Sequence, residues 1–417
     1  MADYEILTPE TVVPYLDRTP SLQGIVDTST LQVREVGDGN LNLVFVCQDA
    51  DGKGICLKQS LPYVRLVGES WPLTPKRILA EARGLEAGAT FAPGLVPHYY
   101  GVDDVTHVLA MENLIGWGMF RAELNEGHAY PGVDRALGEY VAKVAFNTSY
   151  FAVEQNELKD RVAAAVNPEL CRITEDLVFT EPYIDAPNNS FVPELAGEVA
   201  AMRADETLRA EVGMLKWAFM TQAEILVHGD LHTGSVMVKQ TDDGAQCRVI
   251  DPEFCYYGPV GFDLGALFGN VLAARARAAV LHRPAEFQTW LAAAGPAIWD
   301  AFESEMRRQW AGRLDPTWTD GMLEAWLAKV AVDTVGFAGA KANRRIIGLA
   351  KVSDIQTLPP EEHVTAATIV LRTASRWIKE RAALGTVAAA NAVFDEVAAE
   401  VIGAGDLGAE DLGEARG

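Results

Sequence analysis

The sequence predicts an α+β chain of two unequal lobes: a small β-rich lobe over 1–114 and a larger, mainly helical one over 115–402. Three observations carry this. Before residue 115, short apolar or alternating runs are separated by Asp-Gly and Gly-Asn turns, the pattern of hairpins. After 117, apolar residues recur at helical spacing over long stretches, as in amphipathic helices. Between the helical stretches, HGDLHTGSVMV (228–238), a TDDG turn and RVIDPEF (248–254) read as one short hairpin with carboxylates at both ends.

Composition narrows the function classes. At 417 residues the chain is long enough for two sizeable cores. Its net charge of −23 disfavours nucleic acid, whose phosphates need a basic surface. The five cysteines (47, 56, 171, 247, 255) show neither CxxC nor zinc spacing, which fits buried thiols in a reducing, cytoplasmic setting. MADYEILTPETV is acidic and lacks an apolar core, so it is not expected to act as a signal peptide. No uninterrupted apolar run approaches a membrane span. There is no internal repeat.

Taking the elements in order, TPET at 8–11 starts a helix with Thr8 as N-cap. Residues 22–36 alternate enough to be strand. Gly37-Asp38-Gly39-Asn40 then precedes a second β-rich run, 41–47. Alone it is an ordinary β-turn. Its functional reading is a glycine-rich flap: the backbone N–H groups at Gly37 and Gly39 approach phosphates because no Cβ intervenes, and Asn40 adds a side-chain contact. DGKG at 51–54 turns into the strand 55–59, where Lys58 alternates with apolar neighbours. A helix over 75–88 offers Glu81 and Glu86 as partners for Lys58, Glu81 being preferred. The stretch 62–75, with Trp71, is too long for a tight turn, and long structured loops are often functional. A strand over 106–111 ends at Glu112-Asn113.

Helices are predicted over 136–151 and within 194–225, joined by a Pro-containing connector over 167–193. A further helix opens at 258–265, with Asp263 as N-cap. Helices run to about 345, with a break near 314–316. Arg344-Arg345 lies in the modestly apolar KANRRIIGLA. The pair is either surface charge or a set of directed donors for hydroxyls or a phosphoryl group. Residues 364–383 and 388–401 read as helices. The acidic tail 403–417 lacks a packing face and is expected to be disordered.

The chemistry concentrates at the hairpin. A hairpin returns the chain to its start, so Asp230, Asp251 and Glu253 should meet. Converging carboxylates repel unless cations neutralise them. Hard oxygen ligands suit Mg²⁺, commonly held by one or two carboxylates plus substrate phosphates. Asp230 reads as the group that accepts a hydroxyl proton, with Asp251 and Glu253 holding metal, a phosphoryl-transfer arrangement. His228 and His232 read as supports of the loop, because no thiolate or third His lies nearby.

HGDLH, the hairpin and IDPE resemble the catalytic centre of the kinase-like small-molecule phosphotransferases. Ser235 replaces the usual Asn, and Asp251 is followed by Pro252-Glu253. With GDGNLN (37–42), VGESWPLTP (67–75) and Arg344-Arg345 before IIG, the chain resembles the methylthioribose kinase family over residues 5–385. The resemblance implies a two-lobe protein-kinase-like fold and Mg-ATP as phosphoryl donor. It implies Lys58 on the α/β-phosphates, and Met111, Glu112 and Asn113 as a hinge at the adenine edge. It places Asp251, Pro252 and Glu253 at the nucleotide and Trp71 near the active site. Asp263 steadies the loop, and Arg344 and Arg345 touch the sugar. The implied reaction phosphorylates the 1-hydroxyl of 5-methylthioribose in methionine salvage, by a homodimer. The alternatives are a kinase for an aminoglycoside or amino alcohol, and a non-catalytic ATP-binding module.

Overall fold

The computed structural model describes residues 4–37, 41–65 and 68–414, with side chains through 403. The first helix, α1 (Pro9–Arg18), begins where Thr8 N donates to Thr11 Oγ1 at 2.8 Å. The strand expected over 22–36 is shorter than predicted. Residues 20–22 form a 3-10 turn, and only β1 (Gln32–Glu35) is extended. Next come β2 (Asn42–Gln48), β3 (Gly54–Ser60), and a two-stranded hairpin of β4 (Tyr63–Val64) and β5 (Gly68–Pro72) inside the long loop. Then follow α2 (Arg77–Phe91), β6 (Tyr99–Asp103) and β7 (Val108–Glu112). The sheet order is β1-β2-β3-β7-β6, all antiparallel. Leu7, Tyr15, Phe45, Ile55, Leu57 and Val108 fill one face of this sheet.

The second lobe opens with β8 (Gly118–Met119), α3 (Phe120–Glu126), α4 (Val133–Thr148) and α5 (Gln155–Ala164). Residues 168–179, expected as connector, form a helix, α6 (Pro168–Phe179). Pro168 begins it, in the first-turn position where a missing N–H costs nothing. Helices α7 (Ala196–Ala204) and α8 (Glu206–Thr221) lead to β9 (Ile225–Val227). The hairpin is β10 (Val236–Thr241) and β11 (Gly244–Val249), paired from Val236↔Val249 to Thr241↔Gly244. β12 (Tyr256–Gly258) then runs back along β9.

Next come α9 (Val260–Val280), α10 (Ala285–Gln309), α11 (Asp320–Ile347), α12 (Ser353–Gln356) and α13 (Pro360–Leu384). The last helix, α14 (Val387–Glu414), carries helical backbone to 414, into the stretch 403–417 that was expected to be disordered. This is the two-lobe, protein-kinase-like arrangement. Among the described residues no helix is long and apolar enough to cross a membrane. None of the five cysteines is in a disulfide, and four are buried.

Two packing features position the site. The apolar cluster that joins the lobes runs from Ile78, Leu85 and Leu109 to Leu137, Val227, Leu231 and Val236. Leu231, inside the HGDLH loop, is fully buried, so the loop is rooted in the core. Helices α9 and α11 cross closely at Gly265, where a Cβ would lie 2.7–2.9 Å from atoms of Thr334, Phe337 and Ala338. That approach brings the end of α11 under the loop.

Candidate active site

The loop after β9 is tied down residue by residue. Asp263 is not the N-cap of α9; Pro259 holds that position, and Asp263 stands in the first turn. Its carboxylate instead accepts from the loop, His228 N at 2.6 Å and Gly229 N at 3.0 Å. His228 Nδ1 accepts from Asp230 N at 3.2 Å, which leaves the ring proton on Nε2, 2.8 Å from Ile250 O. Ser235 Oγ donates to Asp230 O at 3.0 Å and lies 3.1 Å from His232 Nδ1. The buried serine is thereby committed to the loop.

Gly229 turns the chain with φ +84, and a Cβ there would stand 2.3 Å from Phe254 O. Gly229→Ala adds both left-handed strain and a backbone clash. It is expected to lower stability by about 1–3 kcal/mol and to reduce turnover by displacing Asp230. A urea midpoint equal to wild type would show that the loop absorbs the methyl group.

The three carboxylates do not form one cluster. Ile250 N does return to Ser235 O, at 2.9 Å. Yet among the described residues no group of three or more His, Cys, Asp and Glu is placed to hold a metal ion. Mutual repulsion is relieved by giving each acid its own cationic surroundings. Asp251, at a positive φ of 61, accepts from Lys58 Nζ at 2.8 Å. Glu253 Oε2 accepts from Asn42 Nδ2 at 2.7 Å and lies 3.8 Å from Arg77 Nε. Asp230 turns to α11, where Lys341 Nζ stands 2.6 Å from its Oδ1; its Oδ2 lies 3.4 Å from His232 Nε2.

Lys58 Nζ bridges Asp251 and Glu81, the latter at 2.9 Å. Burial alone would depress Lys58, but Asp251, then Glu81 and Glu253, outweigh it and hold the ammonium well above the ordinary lysine range. Glu86 instead faces Tyr99. Pro252 packs against α2, where a Cβ on Gly84 would meet it at 2.6 Å.

At the end of β7, Met111 is buried in the core between the lobes. The Glu112 N–H is donated to His98 O at 2.7 Å, so that donor is not free for an adenine edge. Asn113 Nδ2 donates to Cys47 O at 3.0 Å. A Cβ on Gly37 would meet no atom of the described residues within 4 Å; Gly39 and Asn40 lie outside the described residues. Trp71, on β5, packs with Leu73 and Leu170 of α6 and lines a cavity of about 460 Å³ with Glu169 and Arg172.

Arg344 and Arg345 are buried at the end of α11, each 8% exposed. Sequence reading missed three residues. Lys341 shares a helix face with the arginines at i, i+3 and i+4, a spacing that was visible. Arg77, 1% exposed, donates to Asn42 Oδ1 at 2.7 and 3.1 Å and to the carbonyls of Leu41, Leu61 and Thr74. Arg121 sits against Gly234, with Nε 3.1 Å from the buried Asp354 and a 2.6 Å bond to Asn270.

Burial alone would raise Asp230, but Lys341, then His232, Arg345 and Arg344, hold its carboxyl well below the usual range. An ionised carboxylate set among cations, with one oxygen held back, can orient a hydroxyl and accept its proton.

Residues 160–301 match the phosphotransferase enzyme family, a stretch that contains Asp230, Asp251, Glu253 and Asp263. The chain is 43% identical over 359 residues to a methylthioribose kinase of Geobacillus kaustophilus, covering 85% of this chain and 88% of the relative. The chain belongs to the methylthioribose kinase family. A second relative, the methylthioribose kinase of Citrobacter koseri, is 40% identical over 382 residues, covering 87% and 91%. Among solved structures, a glucosamine kinase in complex with glucosamine, ADP and inorganic phosphate aligns with a TM-score of 0.46 and 14% identity, over 99% of this chain and 89% of that one. As a member of the methylthioribose kinase family, the chain is an enzyme of the kinase type.

Proposed function

We propose that this enzyme transfers the γ-phosphate of ATP to the 1-hydroxyl of 5-methylthioribose, with Asp230 receiving the hydroxyl proton. The observation that carries the reading is the pairing of Asp230, held ionised, with three buried cations on α11: Lys341, Arg344 and Arg345. Arg344 and Arg345, close enough to Asp230 to lower its carboxyl, are planar donors of the kind that neutral sugar hydroxyls and a transferring phosphoryl group need, which supports the reading. The names of the relatives supply the substrate.

Lys58, held by Glu81 and Asp251, presents its ammonium from the floor of the β-sheet for the nucleotide phosphates. Asp251 and Glu253 fit a divalent cation by their donor chemistry. Each has one oxygen engaged, by Lys58 and Asn42 respectively, and among the described residues no hydrogen bond reaches Asp251 Oδ2 or Glu253 Oε1. Bound Mg²⁺ would neutralise phosphate charge at that place.

The test is ADP release from Mg-ATP with 5-methylthioribose, beside kanamycin, choline, homoserine and ribose. Turnover confined to methylthioribose supports the assignment. Faster turnover with any comparison substrate overturns it, and silence with all five alongside ATP binding points to a binding module.

A further inference from the structure

We propose that Lys341 is a positioning residue for Asp230, holding Oδ1 so that Oδ2 alone is turned to the acceptor hydroxyl. Lys341 is 4% exposed and lies one helical turn before Arg344. Its Nζ is 2.6 Å from Asp230 Oδ1 and 4.5 Å from the centre of the Phe262 ring. The ring face attracts the cation and closes one side of the ammonium to water. A charge-assisted bond of this kind fixes the carboxylate's rotation about its own axis. The backbone is fixed independently, by His228 and Ser235. The carboxylate therefore has Oδ1 committed to Lys341 and Oδ2 3.4 Å from His232 Nε2.

A buried lysine is a demanding choice, because taking its charge out of water is costly unless a partner compensates. Burial, with Arg344 and Arg345 nearby, lowers Lys341 to about 8 even against the attraction of Asp230. The groups facing this pair are His232 on the loop, Asp263 on α9, and Arg344 and Arg345 on α11. Of these only Lys341 is hydrogen-bonded to Asp230 Oδ1 among the described residues. The arginines supply charge without that bond, which is why Lys341 rather than they would set the geometry.

The inference rests on Asp230 receiving the proton, and its test separates the two. Wild-type turnover, measured first, reads the proposed activity. Lys341→Met keeps the stem and removes the bond. It should lower kcat about 100-fold with the KM for ATP unchanged. The acid limb of kcat against pH should move upward by about 1–3 units, because a cation that favoured the ionised carboxylate has gone. Lys341→Ala should recover turnover on addition of ethylammonium, which a purely structural defect would not. Lys341→Gln, which retains a donor but no charge, carries the same pH test if Lys341→Met does not fold. An active wild type together with a folded variant of unchanged kcat and unchanged acid limb would overturn the role of Lys341 and leave that of Asp230 standing.

Discussion

Asp230→Asn is expected to lower kcat by about 10²–10⁴-fold, the range in which a positioned proton acceptor contributes. The amide is nearly isosteric, and its oxygen can still accept from Lys341, so the loop keeps its shape. The KM for ATP should change little, because the proposed nucleotide contacts, Lys58, Asp251 and Glu253, are held by partners other than Asp230. Stability responds as well, with a defined sign. The folded carboxyl lies well below its ordinary range, so its ionised form stabilises the fold at pH values above the unfolded carboxylate pKa. That contribution is lost as pH falls through the folded value. Wild type should thus be more stable than Asp230→Asn at pH 7, and the gap should close toward strongly acidic pH. Urea midpoints across pH read this directly. A gap that widens on acidification would mean the carboxylate is not held ionised by its neighbours, and an unchanged kcat would remove Asp230 from the chemistry.

The second large effect is expected at Arg77→Met. The guanidinium is buried and donates to four acceptors, Asn42 Oδ1 and the carbonyls of Leu41, Leu61 and Thr74. Methionine fills much of the volume but removes the guanidinium bond from all four; only Thr74 O keeps a bond from residue 77, through its backbone N–H. Breaking a buried charged network from one side costs about 3–5 kcal/mol. The functional consequence follows the same chain of bonds. Asn42 is oriented by Arg77 and in turn holds Glu253 at 2.7 Å. Without that anchor Glu253 is free to rotate, and the Mg²⁺ concentration giving half-maximal turnover should rise. Arg77→Lys replaces a planar fork by a single point donor and should recover only part of either loss. A variant within about 0.5 kcal/mol of wild type, the usual span of neutral surface changes, would show that the network is dispensable.

Arg77 also shows where reading a sequence stops. It follows a proline near the start of α2, where a basic residue looks like ordinary surface charge. Only the packing of α2 under β2 and the β4–β5 hairpin brings four acceptors around it. Lys341 is a milder case, since its spacing to Arg344 and Arg345 was legible but its direction was not. Whether a face of α11 meets solvent or the catalytic loop depends on the crossing with α9 at Gly265.

The sequence alone determined much of the architecture. Period-2 and period-3.6 patterns separate the β-rich from the helical lobe, because each period matches one backbone geometry. The hairpin at 236–249, the helix carrying Glu81 and the motif residues of the site were all visible in local chemistry. Local chemistry failed where a long-range contact overrode it. Asp263 looks like a cap and instead receives the loop's N–H groups. Residues 167–193 look like connector and contain α6. Three acids at the ends of one hairpin look set to meet and are instead divided between Lys58, Arg77 with Asn42, and Lys341. That division was decided by tertiary structure, because like charges separate toward whichever cations the fold brings near, and those cations lie more than a hundred residues away in the chain.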